Sequence, residues 1–377
     1  MILALLLLLQ DWPRWRGPEG AATSSASPLP LKWTSTDRVL WSTAVPGEGA
    51  SSPVALGKAV FLTSSLDRGT RRLVHRLDLE TGAIAWTRET PDSDPERASA
   101  LTGHAAPTPA VDASRVVAFF GNAGVVAYGL DGALQWRTSL GEFTSELGIA
   151  SSPILHEGLV IIVGDHDGAS FLIALDAATG KIRWKSPRPG LERSWSTPIV
   201  VAGELIVNAQ DELRGYDPAT GKQLWKVAGM SGWVTPSPVA GQGMVFATSG
   251  KDGPTVAVRG GRVVWRVERG GPYVCSPVLY GDFLYVLDEA GRLTCREAAT
   301  GVEIYRERLK GTFKASGVAG DGKLYFPNEA GVTVVVKAGR VFELLAENPV
   351  EEEILASPAI AGNSLLLRTR TRLYRIR

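Results

Sequence analysis

A few stretches of this chain hold side chains whose types and spacing could do chemistry. Asp165-His166-Asp167 sets two carboxylates around an imidazole, a donor set able to ligate a divalent cation. His104 stands just ahead of Thr108-Pro109, where an imidazole could serve a pocket. Four rings, Trp195, Trp233, Tyr273 and Phe313, fall two to four residues ahead of Thr197-Pro198, Ser237-Pro238, Ser276-Pro277 and Ser316-Gly317, with Arg193 and Lys314 nearby. Aromatic rings clustered with cations suit a contact surface for a partner. Nucleophilic and phosphate chemistry find no support: the chain has no Ser-His-Asp order with a nucleophile elbow, no His-Glu-x-x-His and no glycine-rich phosphate loop. The metal reading is weak as well. Turns equivalent to 165–167 carry Asp67, Asn122, Asp211, Asp252, Asp288 and Asn328, so turn chemistry accounts for all of them, and no metal is assigned.

These residues are positioned by a unit the chain rewrites. Ser152-Pro153 opens an apolar run through Val160–Val163; a turn at 164–168 leads to Phe171–Leu175; Asp176-Ala177-Ala178-Thr179-Gly180 leads to Trp184; then comes Thr197-Pro198. Three turn signals between four runs of strand length describe one four-stranded antiparallel sheet. The opening pair recurs at Ser52-Pro53, Thr108-Pro109, Ser237-Pro238, Ser276-Pro277 and Ser357-Pro358, with a degenerate copy at Ser316-Gly317. The first six prolines are 56, 44, 45, 40 and 39 residues apart. A period near forty with four strands per unit predicts an all-β, eight-bladed β-propeller of four-stranded antiparallel blades.

The link from third to fourth strand is the best marked. Asp78 and Gly82 precede Trp86, Asp176 and Gly180 precede Trp184, and Asp217 and Gly221 precede Trp225. Gly301 precedes Tyr305 at the same spacing, while Gly132 and Gly261 precede Trp136 and Trp265 in shortened turns. Asp caps such a turn, Gly supplies the positive φ that closes it, and the ring fills the wedge against a neighbouring blade. These residues are read as structural. The seventh unit departs, with Lys337-Ala338-Gly339 followed by Phe342.

With 377 residues, 44% of them apolar, and a net charge of +1, the chain has ample core and no electrostatic case for nucleic acid or an anionic membrane. Ile2 to Leu9 is an unbroken apolar run, far below the ~20 residues of a membrane span. It resembles the core of a secretory signal, although no Lys or Arg precedes it and no small-residue cleavage site follows. Export to the periplasm or cell exterior is expected, without a lipid anchor, since no cysteine follows the run. Residues 11–38 are expected as an extended arm, because Pro13, Pro18, Pro28 and Pro30 exclude a helix, with Trp12 and Trp15 docked on the ring. The propeller then occupies 39–377. Its last unit has three strands, and the run Val39–Val45 is expected to pair with them and close the ring, removing two exposed sheet edges. Arg368, Arg370 and Arg372 alternate onto one solvated face, with Glu351–Glu353 opposite.

The combination of Ser-Pro with Leu-Asp-x-x-Thr-Gly-x-x-x-Trp resembles the pyrroloquinoline-quinone-type (PQQ-like) propeller repeat, over 39–377. Asp11-Trp12-Pro13-Arg14-Trp15-Arg16-Gly17-Pro18 also looks like the leader of secreted bacterial members. That superfamily includes quinone-dependent alcohol dehydrogenases and non-enzymatic scaffolds such as the BamB-like propeller of outer-membrane barrel assembly. The resemblance implies, for a dehydrogenase, a carboxylate base, a Ca²⁺ site of Glu, Asn and Asp, an aromatic floor and often a disulfide between adjacent cysteines. Cys275 and Cys295 are twenty residues apart, so that disulfide is excluded, and the two thiols form no disulfide framework. The expectation is an exported, monomeric, non-catalytic propeller with no cofactor. It would bind a protein or peptide through the channel-mouth face, using Trp195, Trp233, Tyr273, Phe313, His104, Arg193 and Lys314. The alternatives are a quinone- or sugar-acting enzyme at the same mouth, or a carbohydrate-binding module.

Overall fold

The computed structural model describes residues 11–90, 94–350 and 352–377. The expected signal-like segment at 1–10 lies outside the described residues. Eight sheets follow one another around a ring. Blade 1 runs from Val54–Leu56 to Ile84–Glu89, blade 2 from Ala110–Val111 to Leu134–Thr138, and blade 3 from Ile154–His156 to Ile182–Pro187. Blades 4, 5 and 6 begin at Ile199–Val201, Val239–Gly241 and Val278–Tyr280, and blade 7 begins at Val318–Gly320. Blade 8 is composite: Ala359–Ala361, Ser364–Arg368 and Arg372–Ile376 are completed by Val39–Ala44, with Ser42 opposite Tyr374 and Thr43 opposite Leu373. The ring therefore closes through the N-terminal strand.

No blade buries its own faces. The apolar clusters lie between blades: Phe61 with Tyr128 across blades 1 and 2, Phe119 with Phe171 across 2 and 3, Tyr285 with Phe326 across 6 and 7. Each wedge needs its neighbours to remove its apolar area from water, which is why the repeat must close.

The repeated residues fasten those wedges at two radii. Innermost, from Ser52 to Ser316, the backbone N–H of the opening Ser or Thr donates to the hydroxyl of the next blade's. Ser52 donates to Thr108 at 2.9 Å, Thr108 to Ser152 at 3.0 Å, and the series continues through Thr197, Ser237, Ser276 and Ser316 to Ser357. Further out, the indole of one blade docks on the turn of the next. Trp41 Nε1 donates to Leu79 O at 2.8 Å, Trp86 to Leu130 O at 3.0 Å, Trp136 to Ala177 O at 2.9 Å, Trp184 to Pro218 O at 3.0 Å and Trp265 to Ala298 O at 2.8 Å. The turn glycine sits under that ring: a Cβ on Gly180 would lie 2.5 Å from Trp136, and one on Gly221 2.4 Å from Trp184. Both have φ of 71°. The Asp carboxylate holds the turn, as Asp176 Oδ1 accepts from the Ala178 and Thr179 amides at 3.1 and 2.9 Å. Where the motif lapses the contact changes: Tyr305 of blade 6 meets Phe342 of blade 7 edge-on at 5.7 Å.

The arm does more than dock. Trp12 exchanges two backbone bonds with Ala55 and is fully buried; Pro13 O accepts from Val111 N in blade 2. Arg14 Nη2 donates to Pro198 O of blade 4 at 2.7 Å, and Arg16 Nη2 donates to Pro277 O of blade 6. Thr23–Ser24 then lies parallel to Val318–Gly320 as a fifth strand of blade 7. Trp33 packs on Tyr325 with ring centroids 6.5 Å apart. The arm crosses the ring from blade 1 to blade 7, and Leu29 and Trp33 join the apolar cluster shared by blades 7, 8 and 1.

Candidate functional site

Antiparallel strands put the loops entering each blade, and the turns between second and third strands, at one end of the ring. The turns between first and second strands lie at the other end, where Asp11 Oδ1 accepts from Gly57 N at 2.7 Å. The arm thus enters the axial channel from that second end. Trp15 and the Ser/Thr ring line a channel space of about 110 Å³, together with Trp195 and Lys314.

At the mouth face the structure brings together four of the sequence-selected residues. Trp195 and Trp233 stack with centroids 5.6 Å apart and planes 19° from parallel. The Arg193 guanidinium lies 4.7 Å from the Trp233 centroid. Lys251, from the second-to-third strand turn of blade 5, places Nζ 4.3 Å from the Trp233 centroid and 5.1 Å from that of Tyr273. Arg193 and Lys251 are exposed and the three rings are half-buried. The loops are held: Trp195 N donates to Val234 O at 2.8 Å, Val234 N to Arg193 O at 3.0 Å, and Trp195 Nε1 to Gly148 O at 2.8 Å. Two flat rings with two cations on a rigid backbone offer apolar area and positive charge to a partner at little ordering cost.

The remaining predicted residues do not join this patch. Phe313 is fully buried in the cluster shared by blades 6 and 7, so it contributes packing rather than a contact surface. The pattern placed it correctly ahead of its blade, but its ring is buried where Tyr273, at the same offset, is half-exposed. Lys314 lines the channel. His104 packs over Gly69 on the far side of the mouth, beside blades 1 and 2, where burial lowers its pKa. Lys251 escaped the sequence reading; its signal was the turn Gly250-Lys251-Asp252-Gly253, valued there only for Asp252.

The Asp165-His166-Asp167 set is committed to structure. Asp165 forms a fully buried bidentate pair with Arg188, at 2.7 Å to Nε and 2.9 Å to Nη2. His166 Nδ1 accepts from the Thr144 and Gly168 amides, both at 3.2 Å, and Asp167 Oδ2 accepts from Glu146 N at 3.0 Å. With Asp165 tied to Arg188 and His166 Nδ1 to two amides, the three do not converge on a cation. The three alternating arginines are also unlike the expectation. The strand ends at Arg368, which is buried; Arg370 reaches Glu353 at 2.8 Å; Arg372 Nε donates to Ser42 Oγ at 2.8 Å. The hairpin turn at 369–371 breaks the alternation that would have put them on one face.

The channel residues do not fit a quinone with its cation. A small-molecule site typically offers about 300 Å³ or more, whereas this space is about 110 Å³ and contains Trp15 of the arm. Among the described residues, no group of three His, Cys, Asp or Glu is placed to hold a metal ion. Cys275 and Cys295 are separately buried free thiols. Among the described residues, no helix is long and apolar enough to cross a membrane.

Comparison with known proteins agrees with this architecture. The family model described as outer membrane protein assembly factor BamB matches residues 22–187, 168–274 and 255–375. The outer membrane protein assembly factor BamB of Yersinia pestis is 25% identical over 98% of this chain and 95% of its own length. A polyvinylalcohol dehydrogenase from Pseudomonas sp is 23% identical, over 61% of this chain but 34% of the enzyme. Among solved structures, BamB from Moraxella catarrhalis superimposes with a TM-score of 0.70 at 13% identity, covering 89% of this chain and 96% of that one. A europium-containing methanol dehydrogenase gives 0.77 at 13% identity, covering 95% and 89%. These low-identity likenesses show the fold, which scaffolds and dehydrogenases share. With the family model spanning nearly all of its propeller, the chain belongs to the PQQ-like repeat family of the outer membrane protein assembly factor BamB.

Proposed function

We propose that the chain is an exported, non-catalytic scaffold of the cell envelope. It binds a protein or peptide partner through the mouth face over blades 3 to 6, as a monomer. The observation that carries this reading is the stacked Trp195–Trp233 pair with Arg193 and Lys251 against Trp233. Aromatic and cationic side chains of this kind dominate binding energy at protein interfaces. The preformed loops favour a partner segment with an apolar or aromatic anchor flanked by carboxylates. The likeness to an assembly factor over nearly the whole of both chains supports the scaffold class. The dehydrogenase reading draws on shared fold and has no fitting channel to support it.

The test is the double substitution Trp195→Ala/Trp233→Ala in the full chain. It should leave the thermal midpoint nearly unchanged, because both rings are half-exposed. It should weaken recovery of outer-membrane assembly proteins from envelope extracts by about thirtyfold, the effect of losing about 2 kcal/mol at a hot spot. Unchanged recovery would remove the patch as the binding site. Release of the partner by free sugars would instead favour a carbohydrate-binding module.

A further inference from the structure

Arg368 ends the second strand of blade 8, and its guanidinium lies beneath the seam between blades 8 and 1. It is 1% exposed. Nη1 donates to Ser51 O at 2.7 Å and to Ser51 Oγ at 2.5 Å, while Nε and Nη2 have no hydrogen-bond partner. No carboxylate offsets the charge, and burial alone lowers the pKa to about 9. Three other buried arginines have a carboxylate partner. Arg72 pairs with Glu96 at 2.8 Å, Arg188 with Asp165, and Arg375 with Glu80 at 3.0 Å. Arg14 and Arg16 form no ion pair either and also leave donors idle, Nε of Arg14 and Nε and Nη1 of Arg16, but they pin the arm to blade carbonyls inside the channel, away from any cleft on the mouth face. A buried guanidinium with two idle donors and no counter-charge is unfavourable, and such groups normally have a partner.

A second feature lies directly above it. A cleft of about 370 Å³ opens on the mouth face, lined in part by Gly49, Arg68, His104, Thr369 and Arg370. Gly49 separates it from the guanidinium. A Cβ there would stand 2.9 Å from Arg368 Nη2 and 3.1 Å from Thr63 O, and the backbone of Gly49 is outside the positive-φ region. No backbone strain calls for glycine at this point. The missing side chain leaves only the Gly49 backbone between the cleft and the buried Nη2, so a ligand reaches that donor only by displacing Gly49. The cleft is large enough for one acidic residue with its flanking peptide. Glu48 and Asp67 also line it, which disfavours a ligand with several negative charges.

We propose that this cleft is a carboxylate-binding site, in which one carboxylate displaces Gly49 and takes the idle Nη2 and Nε donors of Arg368, flanked by Arg68. It lies over blades 8, 1 and 2, apart from the Trp195–Trp233 patch, and stands independently of it. A carboxylate bound there would supply the counter-charge the fold withholds, with charge-assisted hydrogen bonds in a poorly solvated seam. The carboxylate could belong to a peptide side chain or to a small free acid, and the same experiment separates these sources.

The test uses the full chain in calorimetric titrations with N-acetyl-Gly-Glu-Gly-amide, its Gln counterpart and sodium acetate. Saturable one-to-one binding is expected for the Glu peptide and none for the Gln peptide. Gly49→Ala should weaken binding at least about tenfold by covering Nη2, and Arg368→Met should abolish it. Should Arg368→Met not fold, Gly49→Ala decides alone. Glu-peptide binding at least about tenfold tighter than acetate identifies a peptide ligand, and equal affinity identifies small acids. The proposal is overturned if no carboxylate binds at millimolar concentration. It is overturned equally if the folded variants bind like the wild type, or if the Gln peptide binds as well as the Glu peptide.

Discussion

Replacing Gly180 by alanine tests how the blades are locked together. Its φ of 71° disfavours any Cβ, at about 1–2 kcal/mol for an L residue in that region. The lower entropy of the unfolded alanine chain returns about 0.4–1 kcal/mol. At Gly180 there is a further term: the new Cβ would be 2.5 Å from Trp136 Cε3 and 2.7 Å from Thr138 Oγ1. Forcing one methyl group into so closed a space costs about 1–3 kcal/mol more. Gly158 provides the control, with φ of 77° and nothing within 4 Å of its Cβ position. We expect Gly158→Ala to lose about 1 kcal/mol and Gly180→Ala about 2–4 kcal/mol, read from guanidinium unfolding midpoints at constant slope. In a Trp136→Ala background the cost of Gly180→Ala should fall towards that of Gly158→Ala, because the ring has gone and only Thr138 Oγ1 still crowds the Cβ. A double-mutant cycle should thus show coupling of about 1–3 kcal/mol. Equal losses at the two glycines, or an additive cycle, would refute the docking of each indole on the next blade's turn.

Further outcomes follow from the polar interior. Asp165→Asn should destabilise by about 3–5 kcal/mol by leaving Arg188 buried and unpaired, while Asp165→Leu with Arg188→Met should recover most of that in the same unfolding assay. His75 is fully buried between Ser64 Oγ at 2.7 Å and Thr87 Oγ1 at 2.9 Å; burial, and then the Arg368 charge, hold its pKa at about 3. Its unfolded value is higher, near 6.5, so its stabilising contribution is complete above that pH. The contribution is lost on acidification towards pH 3, at up to about 1.4 kcal/mol per pH unit. His75→Gln should therefore flatten the acid limb of the stability–pH curve, and an unchanged limb would contradict the buried neutral imidazole. Trp12→Ala should cost about 3–5 kcal/mol and loosen the arm, measured as faster amide exchange at Ala55.

Periodicity made the ring legible. The Ser-Pro pairs and the Asp-Gly-Trp links recur because each blade meets the same two neighbours, so the residues that make those contacts must repeat. The same logic exposed the split blade, since Val39–Ala44 reads as a fourth strand without its first three. What did not repeat was hard to read. Arg14 and Arg16 reach blades 4 and 6, 184 and 261 residues away, and no local pattern encodes such a path. Asp165 finds Arg188 across 23 residues, a pairing that neither the turn nor the weak metal reading of 165–167 pointed to. Phe313 and Tyr273 both stand three residues ahead of their blade's opening Ser, yet one ring is core and the other half-exposed, because which way a ring turns depends on the neighbouring blade. Arg368 looked solvated by alternation and is buried because the strand ends on it.

The most direct measurement of the central claim is site-specific photo-crosslinking in living cells. The crosslinking residue would replace Lys251 at the mouth face or Lys181 at the opposite end. Position 251 is expected to give a discrete product with an outer-membrane assembly protein, lost in the Trp195→Ala/Trp233→Ala background, while position 181 gives none. Equal products from both positions, or none from position 251, would contradict a scaffold that works through the mouth face.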